Sequence, residues 1–235
     1  MSAATDNTRA AVVLAIGIVI AGYLLGDALV QARSSERKVS VRGLAEREVP
    51  ANLALWPIVF TVTSNDLGDL QQKADAGVAT VREFLARDFP AEQVSVSAPR
   101  VQDREAQRVN SENARLDRYS AEVAVTLRTD RIDAAKKAIE RTGELVKKGV
   151  PVMRSYEYNT QYLFTALETI KPEMIAEATR DARRAAEQFA SDSGSKVGAI
   201  KTAQQGLFSI ADRDQFSPEI KTVRVVTTVE YYLAD

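Results

Sequence analysis

Two serine–lysine spacings contain the residue types that could carry out covalent chemistry. Ser193 and Lys196 lie three positions apart, as do Ser35 and Lys38. Acyl-transfer enzymes with this S-x-x-K pattern use the serine as a nucleophile, together with further motifs that this chain lacks. Chance matches to so short a pattern are expected in a chain with this much Ser and Lys. We therefore predict no catalytic residue in either spacing.

The chain contains neither histidine nor cysteine. Histidine is the commonest general base and the commonest metal ligand in proteins. Its absence excludes Ser-His-Asp catalysis and histidine-based zinc sites, and the absence of cysteine excludes Cys-His catalysis and disulfides. We predict no cofactor.

Three acidic residues, Asp212, Asp214 and Glu219, lie close together near Pro218. Calcium-binding loops need more oxygen ligands and a glycine at a defined place. The cluster therefore indicates a solvated turn, and we predict no metal site.

Aromatic residues are concentrated in one predicted strand, from Val152 to Phe164. Aromatic side chains are enriched at the centres of protein interfaces. A place in the core and a platform for stacking a ligand are alternative interpretations. We predict self-association through a set of aromatic residues that also includes one from an earlier strand: Trp56, Tyr156, Tyr158, Tyr162 and Phe164.

Composition indicates a globular chain. Of the 235 residues, 27% are charged and 45% are apolar, and the formal net charge is −1. This length suits one large or two small domains. The charge balance gives no reason to expect a nucleic-acid partner.

The N-terminal region carries the clearest signal of localisation. The stretch from Ala10 to Gly26 contains no charge, and as a helix it would extend about 26 Å at about 1.5 Å per residue, near the minimum for crossing a bilayer. A cleaved signal peptide, with Val30-Gln31-Ala32 at the cleavage site, and a buried helix are the alternatives. We predict an uncleaved membrane anchor, with residues at helical spacing on one side: Ala10, Leu14, Ile18, Gly22 and Gly26.

These signals divide the chain into four parts. We predict an N-terminal tail (1–9), a transmembrane signal anchor (10–30), a polar tether (31–38) and a folded domain (39–235). Basic residues flank the anchor on both sides, and their count alone mildly favours a cytoplasmic C-terminus.

The folded part shows alternating strand and helix patterns, which predict an α+β fold with antiparallel sheets and about three helices. Between two of the strands lies a polar segment (102–117), either a hairpin arm or a loop. Asn65 or Asp66 is expected to cap the first helix, and Asp130 the second, whose inward residues include Val146. Strands are predicted at 39–49, 51–63, 94–101, 119–127, 152–164, 196–208 and 220–233, and the first two helices at 67–85 and 130–148.

The longest helix is predicted to begin at Pro172 and to end at Gly194. Proline suits the first helical position, and glycine suits the left-handed residue that ends a helix. One face at helical spacing is mostly alanine, which allows close packing on a sheet: Ile175, Ala178, Ala182, Ala185 and Phe189.

From Val39 to Leu233 the chain resembles the SIMPL-domain family of bacterial proteins of unknown function. The similarity lies in the opening Val39-Ser40-Val41-Arg42-Gly43, in the strand Tyr119–Leu127, and in the long helix up to Gly194-Ser195-Lys196-Val197-Gly198. The resemblance implies export or anchoring in the envelope, ring-shaped or channel-like oligomers in some members, and a link to oxidative stress. It brings no agreed catalytic residues.

Together these observations predict a non-enzymatic protein of the bacterial inner membrane, with one membrane pass and its C-terminal domain in the periplasm. We expect it to act through homo-oligomeric assembly or partner binding, in connection with stress. The alternative is a small-ligand-binding protein or enzyme that uses carboxylate, Arg and Tyr side chains. A monomer whose sheet is covered by its own helices is the alternative to self-association.

Overall fold

The computed structural model describes residues 15–28, 37–106, 117–153 and 158–234. The chain divides into two compact units. The first unit comprises Met1–Glu46, Ile170–Ser209 and Arg224–Asp235, and the second comprises Arg47–Thr169 and Ile210–Val223.

The fold is α+β, as predicted, with antiparallel sheets. The described helices are α1 (15–28), α2 (Leu67–Ala86), α3 (Ile132–Glu140), α4 (Gly143–Lys147) and α5 (Leu167–Asp192). The strands are β1 (Lys38–Pro50), β2 (Leu53–Ser64), β3 (Val94–Val96), β4 (Arg100–Asp103), β5 (Tyr119–Thr129), β6 (Val152–Met153), β7 (Gln161–Leu163), β8 (Lys196–Gln205), β9 (Ser209–Asp212) and β10 (Ile220–Ala234).

The second unit is built on a six-stranded sheet with the order β3-β5-β2-β6, in which β4 also pairs with β5 and β7 with β2. The β2–β5 pair is continuous from Ala54 opposite Thr129 to Ser64 opposite Tyr119. Alternate residues of these strands form the core together with the helices. That core includes large side chains, among them Trp56, Ile58, Phe60, Phe84, Val123 and Leu127.

The other sheet has the order β1-β10-β8, with β9 also paired to β10. In the first unit its core contains Val39, Val229 and Tyr231, and the α5 residues packed against them are Ala182 and Ala186. Small side chains on the helix let its backbone approach the sheet closely. In the first unit's core the helix therefore contributes alanine, whereas the sheet contributes branched and aromatic residues.

Most strand predictions are confirmed, as is the first helix of the folded part. Asp66 is the N-cap of α2, and its side chain accepts a hydrogen bond of 2.8 Å from the Asp69 N–H. Gly194 has a φ of 68°, the left-handed conformation expected after the long helix.

The predicted start of the long helix at Pro172 is wrong. The helix begins at Leu167 and contains Pro172 in its second turn. The predicted inward face is also wrong at Ala185 and at Phe189, which is 51% exposed. Because alanine occurs all around this helix, hydrophobicity alone did not identify the buried stripe, which recurs at every fourth residue: Met174, Ala178, Ala182, Ala186 and Ala190.

The single helix predicted after Asp130 is two helices, α3 and α4. The break falls where the Thr142 hydroxyl donates to the Ile139 carbonyl oxygen at 2.6 Å and where Gly143 follows, both unfavourable to a continuous helix. The N-cap is Arg131 rather than Asp130. Because the break shifts the helical phase, Leu145 is buried and Val146 is 57% exposed.

Two predicted strands are interrupted and a third is shorter than predicted. The strand predicted at 94–101 is β3 and β4, separated by a stretch that contains Pro99. Proline has no N–H for a ladder. The strand predicted at 152–164 is described as the short β6 and β7, and the one at 196–208 ends at Gln205. The polar segment 102–117 begins with the end of β4, and its residues 107–116 lie outside the described part.

Candidate functional site

At β1, one edge strand of the first unit's sheet, α5 packs closely and caps one outward backbone donor; we call this the closed edge. Gly43 lies so near the helix that a Cβ atom there would be 1.9 Å from the Ala178 carbonyl oxygen and 2.4 Å from the Ala182 nitrogen. The Leu44 N–H donates to Asp181 Oδ2 at 2.9 Å. The Asp181 carboxylate of the helix therefore accepts a hydrogen bond from the backbone of this strand.

Charge strengthens that cap. The hydrogen bond from the Leu44 N–H, followed by the bond from Arg184, lowers the pKa of Asp181 below its ordinary value. The carboxylate is thus ionised at neutral pH and accepts a charge-assisted hydrogen bond, the stronger kind.

The opposite edge, at β8, is open in the described part of the chain. β8 pairs with β10 on one side, with Gln205 opposite Thr227 and Ala203 opposite Val229. The Gly206 N–H donates to the Val226 carbonyl oxygen at 2.8 Å. Because hydrogen-bonded pairs alternate along an antiparallel ladder, the N–H and carbonyl groups of Ala203 and Gln205 point away from β10.

β8 is also exposed on its two faces. Eight of its ten residues are exposed and the other two, Val197 and Gly198, are half-buried. Ile200 is 50% exposed. In the turn after it, Leu207 is 95% exposed. An uncovered edge strand of this kind is a template for pairing with another chain.

Helix α1 carries the described part of the predicted membrane anchor. All of its residues are exposed, among them Ile18, Gly22 and Gly26, and nothing lies within 4 Å of a Cβ built on either glycine. Ala10 and Leu14 lie outside the described residues. Among the described residues, no helix is both long enough and apolar enough to cross a membrane.

The residues predicted to mediate self-association have different surroundings. Trp56 and Tyr162 belong to the core of the second unit, and Phe164 is half-buried after β7. The Tyr158 hydroxyl donates to Glu122 Oε1 at 2.9 Å and accepts from Arg100 at 3.2 Å. Tyr156 lies outside the described part. The role of this set in self-association stays a prediction.

A cleft of about 1200 Å³ in the second unit lies beside α3 and is lined by charges of both signs. Lys136 Nζ lies 2.6 Å from Glu219 Oε1, so the pKa of the lysine is raised and that of the glutamate lowered. Burial raises the pKa of Tyr162. Lysine and tyrosine thus both remain protonated at neutral pH, which suits binding better than proton abstraction.

The S-x-x-K spacing at the end of α5 shows no nucleophile arrangement. The Ser193 hydroxyl donates to the Ala190 carbonyl oxygen at 3.1 Å, as in an ordinary helix end. Lys196 starts β8. Ser35 lies outside the described residues.

The acidic cluster is dispersed over three ion pairs. Asp212 contacts Lys221, Asp214 pairs with Arg213 at 3.0 Å, and Glu219 pairs with Lys136. Within the described ranges, no group of acidic residues is arranged to hold a metal ion.

Sequence reasoning missed the closed edge at β1. Gly43 within a strand pattern was a usable signal, because such a glycine often marks a close approach of another backbone. Nothing in the sequence pairs Asp181 with Leu44, since 137 positions separate them.

The fold is therefore that of an α+β domain with two antiparallel sheets, preceded by an apolar helix. The family model described as SIMPL, a protein of unknown function (DUF541), matches residues 39–231. The chain belongs to this family, which confirms the resemblance seen in the sequence. A search of curated proteins finds no match.

Proposed function

We propose that the chain is a single-pass protein of the bacterial inner membrane whose periplasmic domain acts by assembling with copies of itself or with partners, without catalysing a reaction. The observation that carries this proposal is the open edge of β8, in a sheet whose other edge is closed by α5.

Anchoring is supported by α1. Apolar side chains that include Ile18, Val19 and Leu24 are each more than 60% exposed, and a surface of this kind needs a cover of lipid or protein. The helix occupies the middle of the predicted anchor at 10–30. The family resemblance, rather than the charge count, supports the periplasmic orientation.

Assembly is supported by the difference between the two edges. Pairing β8 with the β1 of a neighbour would require displacing Asp181 from the Leu44 N–H, whereas pairing two β8 strands uses groups that already point outward. Tethering to a membrane confines the subunits and raises their effective concentration. We therefore propose a two-fold β8–β8 contact.

A two-fold contact closes on itself. The ring-like assemblies that the family resemblance implies would need a second, different contact, for which the aromatic set around Tyr158 remains our prediction. The proposed role in oxidative or envelope stress rests on the family resemblance alone.

The non-enzymatic proposal is supported by the directions of the pKa shifts. Among the described residues, the resolved shifts lower the pKa of carboxylates and raise that of Lys, Arg and Tyr. Enzymes tune their acids and bases toward the working pH instead. The charged cleft beside α3 favours a second candidate, binding of a small ligand that carries both signs of charge.

Topology is tested by fusing a reporter after Asp235. We expect activity from a reporter that works only in the periplasm, and the intact chain should retain its N-terminus. Activity from a cytoplasm-only reporter would contradict the orientation, and an N-terminus at Arg33 would contradict the uncleaved anchor.

Assembly is tested by the mass of the detergent-solubilised full chain, beside an Ala203→Pro variant. Proline at 203 removes an N–H that points to the open edge and spares the β10 ladder, so we expect a smaller assembly with an intact fold. Gln204→Pro is the matched control, because it removes a ladder donor and should lower stability. A monomeric wild-type chain would contradict the proposal.

A further inference from the structure

A second cavity in the second unit differs from the charged cleft in the chemistry of its walls. It is a groove of about 670 Å³, within the range of small-molecule sites. Its apolar walls come from β2, α3, α4 and β6, and its apolar lining residues are Trp56, Pro57, Ile139, Val146, Val152 and Met153.

Polar groups are few and neutral in this groove. Thr142, Asn159 and Thr160 supply hydroxyl and amide groups. The Thr142 hydroxyl donates a hydrogen bond to the Ile139 carbonyl oxygen at 2.6 Å, so its oxygen is left to accept one from a ligand. Among the described residues, no charged side chain lines the groove, although 27% of the chain is charged.

One of the residues that line the groove is aromatic, and its ring is held in place. Trp56 is 6% exposed and meets Phe84 edge-on, with ring centroids 6.4 Å apart and planes at 77°. β7 pairs with β2 at residues 53–55 and β6 at residues 59–60, so the indole sits between two paired stretches that hold its backbone in place.

We propose that this groove binds a small, uncharged, mostly apolar molecule with a ring that packs against Trp56. A charged ligand would lose its hydration without gaining a counter-charge, which is costly. An uncharged ring displaces water from the apolar wall. A single hydroxyl on that ring can donate a hydrogen bond to an acceptor such as the Thr142 oxygen. This proposal does not depend on assembly or on membrane anchoring.

Tryptophan fluorescence can be used to detect binding in this groove, because Trp56 is the single tryptophan of the chain. The test is quenching of its fluorescence in the full chain, held in phospholipid nanodiscs, by 4-nitrobenzyl alcohol. 4-Nitrobenzoate and 4-nitrobenzylamine carry the same ring with a negative or a positive charge. We expect saturable quenching by the alcohol, with a dissociation constant of about 1 mM or lower, and binding at least tenfold weaker for both charged probes.

Variants separate the groove from the surface. Val146→Glu places a charge on the wall of the groove and should weaken binding at least fivefold. Val101→Glu is the matched control, because Val101 is 50% exposed on β4 and does not line the groove, and it should change binding less than twofold.

Two results would overturn the proposal. The first is quenching that rises linearly, without saturation, for all three probes. The second is a charged probe that binds as tightly as the alcohol. The comparison of the three probes uses the native chain, so it remains valid even if a variant fails to fold.

Discussion

The two edges of the first unit's sheet are built in opposite ways. At β1, the helix α5 lies against Gly43, and Asp181 accepts the hydrogen bond of Leu44. At β8, the outward groups of Ala203 and Gln205 have no neighbouring strand among the described residues. A sheet usually needs both of its edges protected. The difference shows that the fold itself uses an outward donor of β1, whereas the outward groups of β8 are not paired with a strand in the described part of the chain.

Gly43→Ala should have the largest effect, because it breaks the closed edge. The new Cβ would meet the backbone of α5 at Ala178 and Ala182, and backbone atoms cannot move aside as a flexible side chain can. We expect a loss of about 3 kcal/mol in the free energy of unfolding, measured by urea unfolding of the full chain in mild detergent. Gly143→Ala is the control, since nothing lies within 4 Å of its Cβ, and an equal loss there would remove close packing as the cause.

Asp181→Ala should cost less, about 1 kcal/mol, because it removes the hydrogen bond from the Leu44 N–H and the exposed ion pair with Arg184 and leaves the packing intact. It also frees the Leu44 N–H and so gives the sheet a second open edge. We therefore expect larger assemblies in addition to lower stability, measured by urea unfolding and by the mass of the solubilised chain. Unchanged stability would show that the carboxylate is not a cap.

The charge of Asp181 predicts a pH dependence. Its pKa is lowered in the folded state, so its contribution to stability is present above the unfolded pKa of about 3.9 and is lost as the pH falls through the lower folded pKa. The stability difference between the native chain and Asp181→Asn should be constant from about pH 7 to pH 5 and should shrink below about pH 4. A difference that stays constant in acid would assign the effect to shape rather than charge.

Substitution on the open edge should have the smallest effect. The Lys201 ammonium lies 5.5 Å from the centre of the Tyr232 ring, and an exposed contact of this type contributes about 0.5 kcal/mol. Lys201→Ala should therefore change unfolding by about that amount. A loss as large as that of Gly43→Ala would mean that β8 is held by contacts as close as those of β1.

Local patterns predicted the elements that have local causes. The strand β5 and the cap at Asp66 depend on residues close together in the sequence, and both are confirmed. The phase of α5 was not predictable because alanine lies on several faces of that helix. The position of Gly43 against the helix decides which alanines are buried.

Sites made by distant residues were the hardest to predict. Lys136 and Glu219 are 83 positions apart, and no periodicity links them. Trp56 was expected at an interface on the strength of its type, but it also lines a neutral groove in the second unit. An aromatic residue type indicates that the side chain is buried. It does not indicate whether the side chain is buried in the core, against a ligand or against another copy of the chain.

Cysteine cross-linking tests self-association through β8 most directly, because the chain has no cysteine of its own. Single cysteines placed in turn at Ala199, Ala203 and Gln205 of β8, and at Ser40 and Arg42 of β1 as controls, are oxidised in native membranes. Disulfides need Cβ atoms about 3.5–4.5 Å apart, so we predict a covalent dimer from at least one β8 position and none from β1. Cross-linking from β1 but from no β8 position would contradict the account.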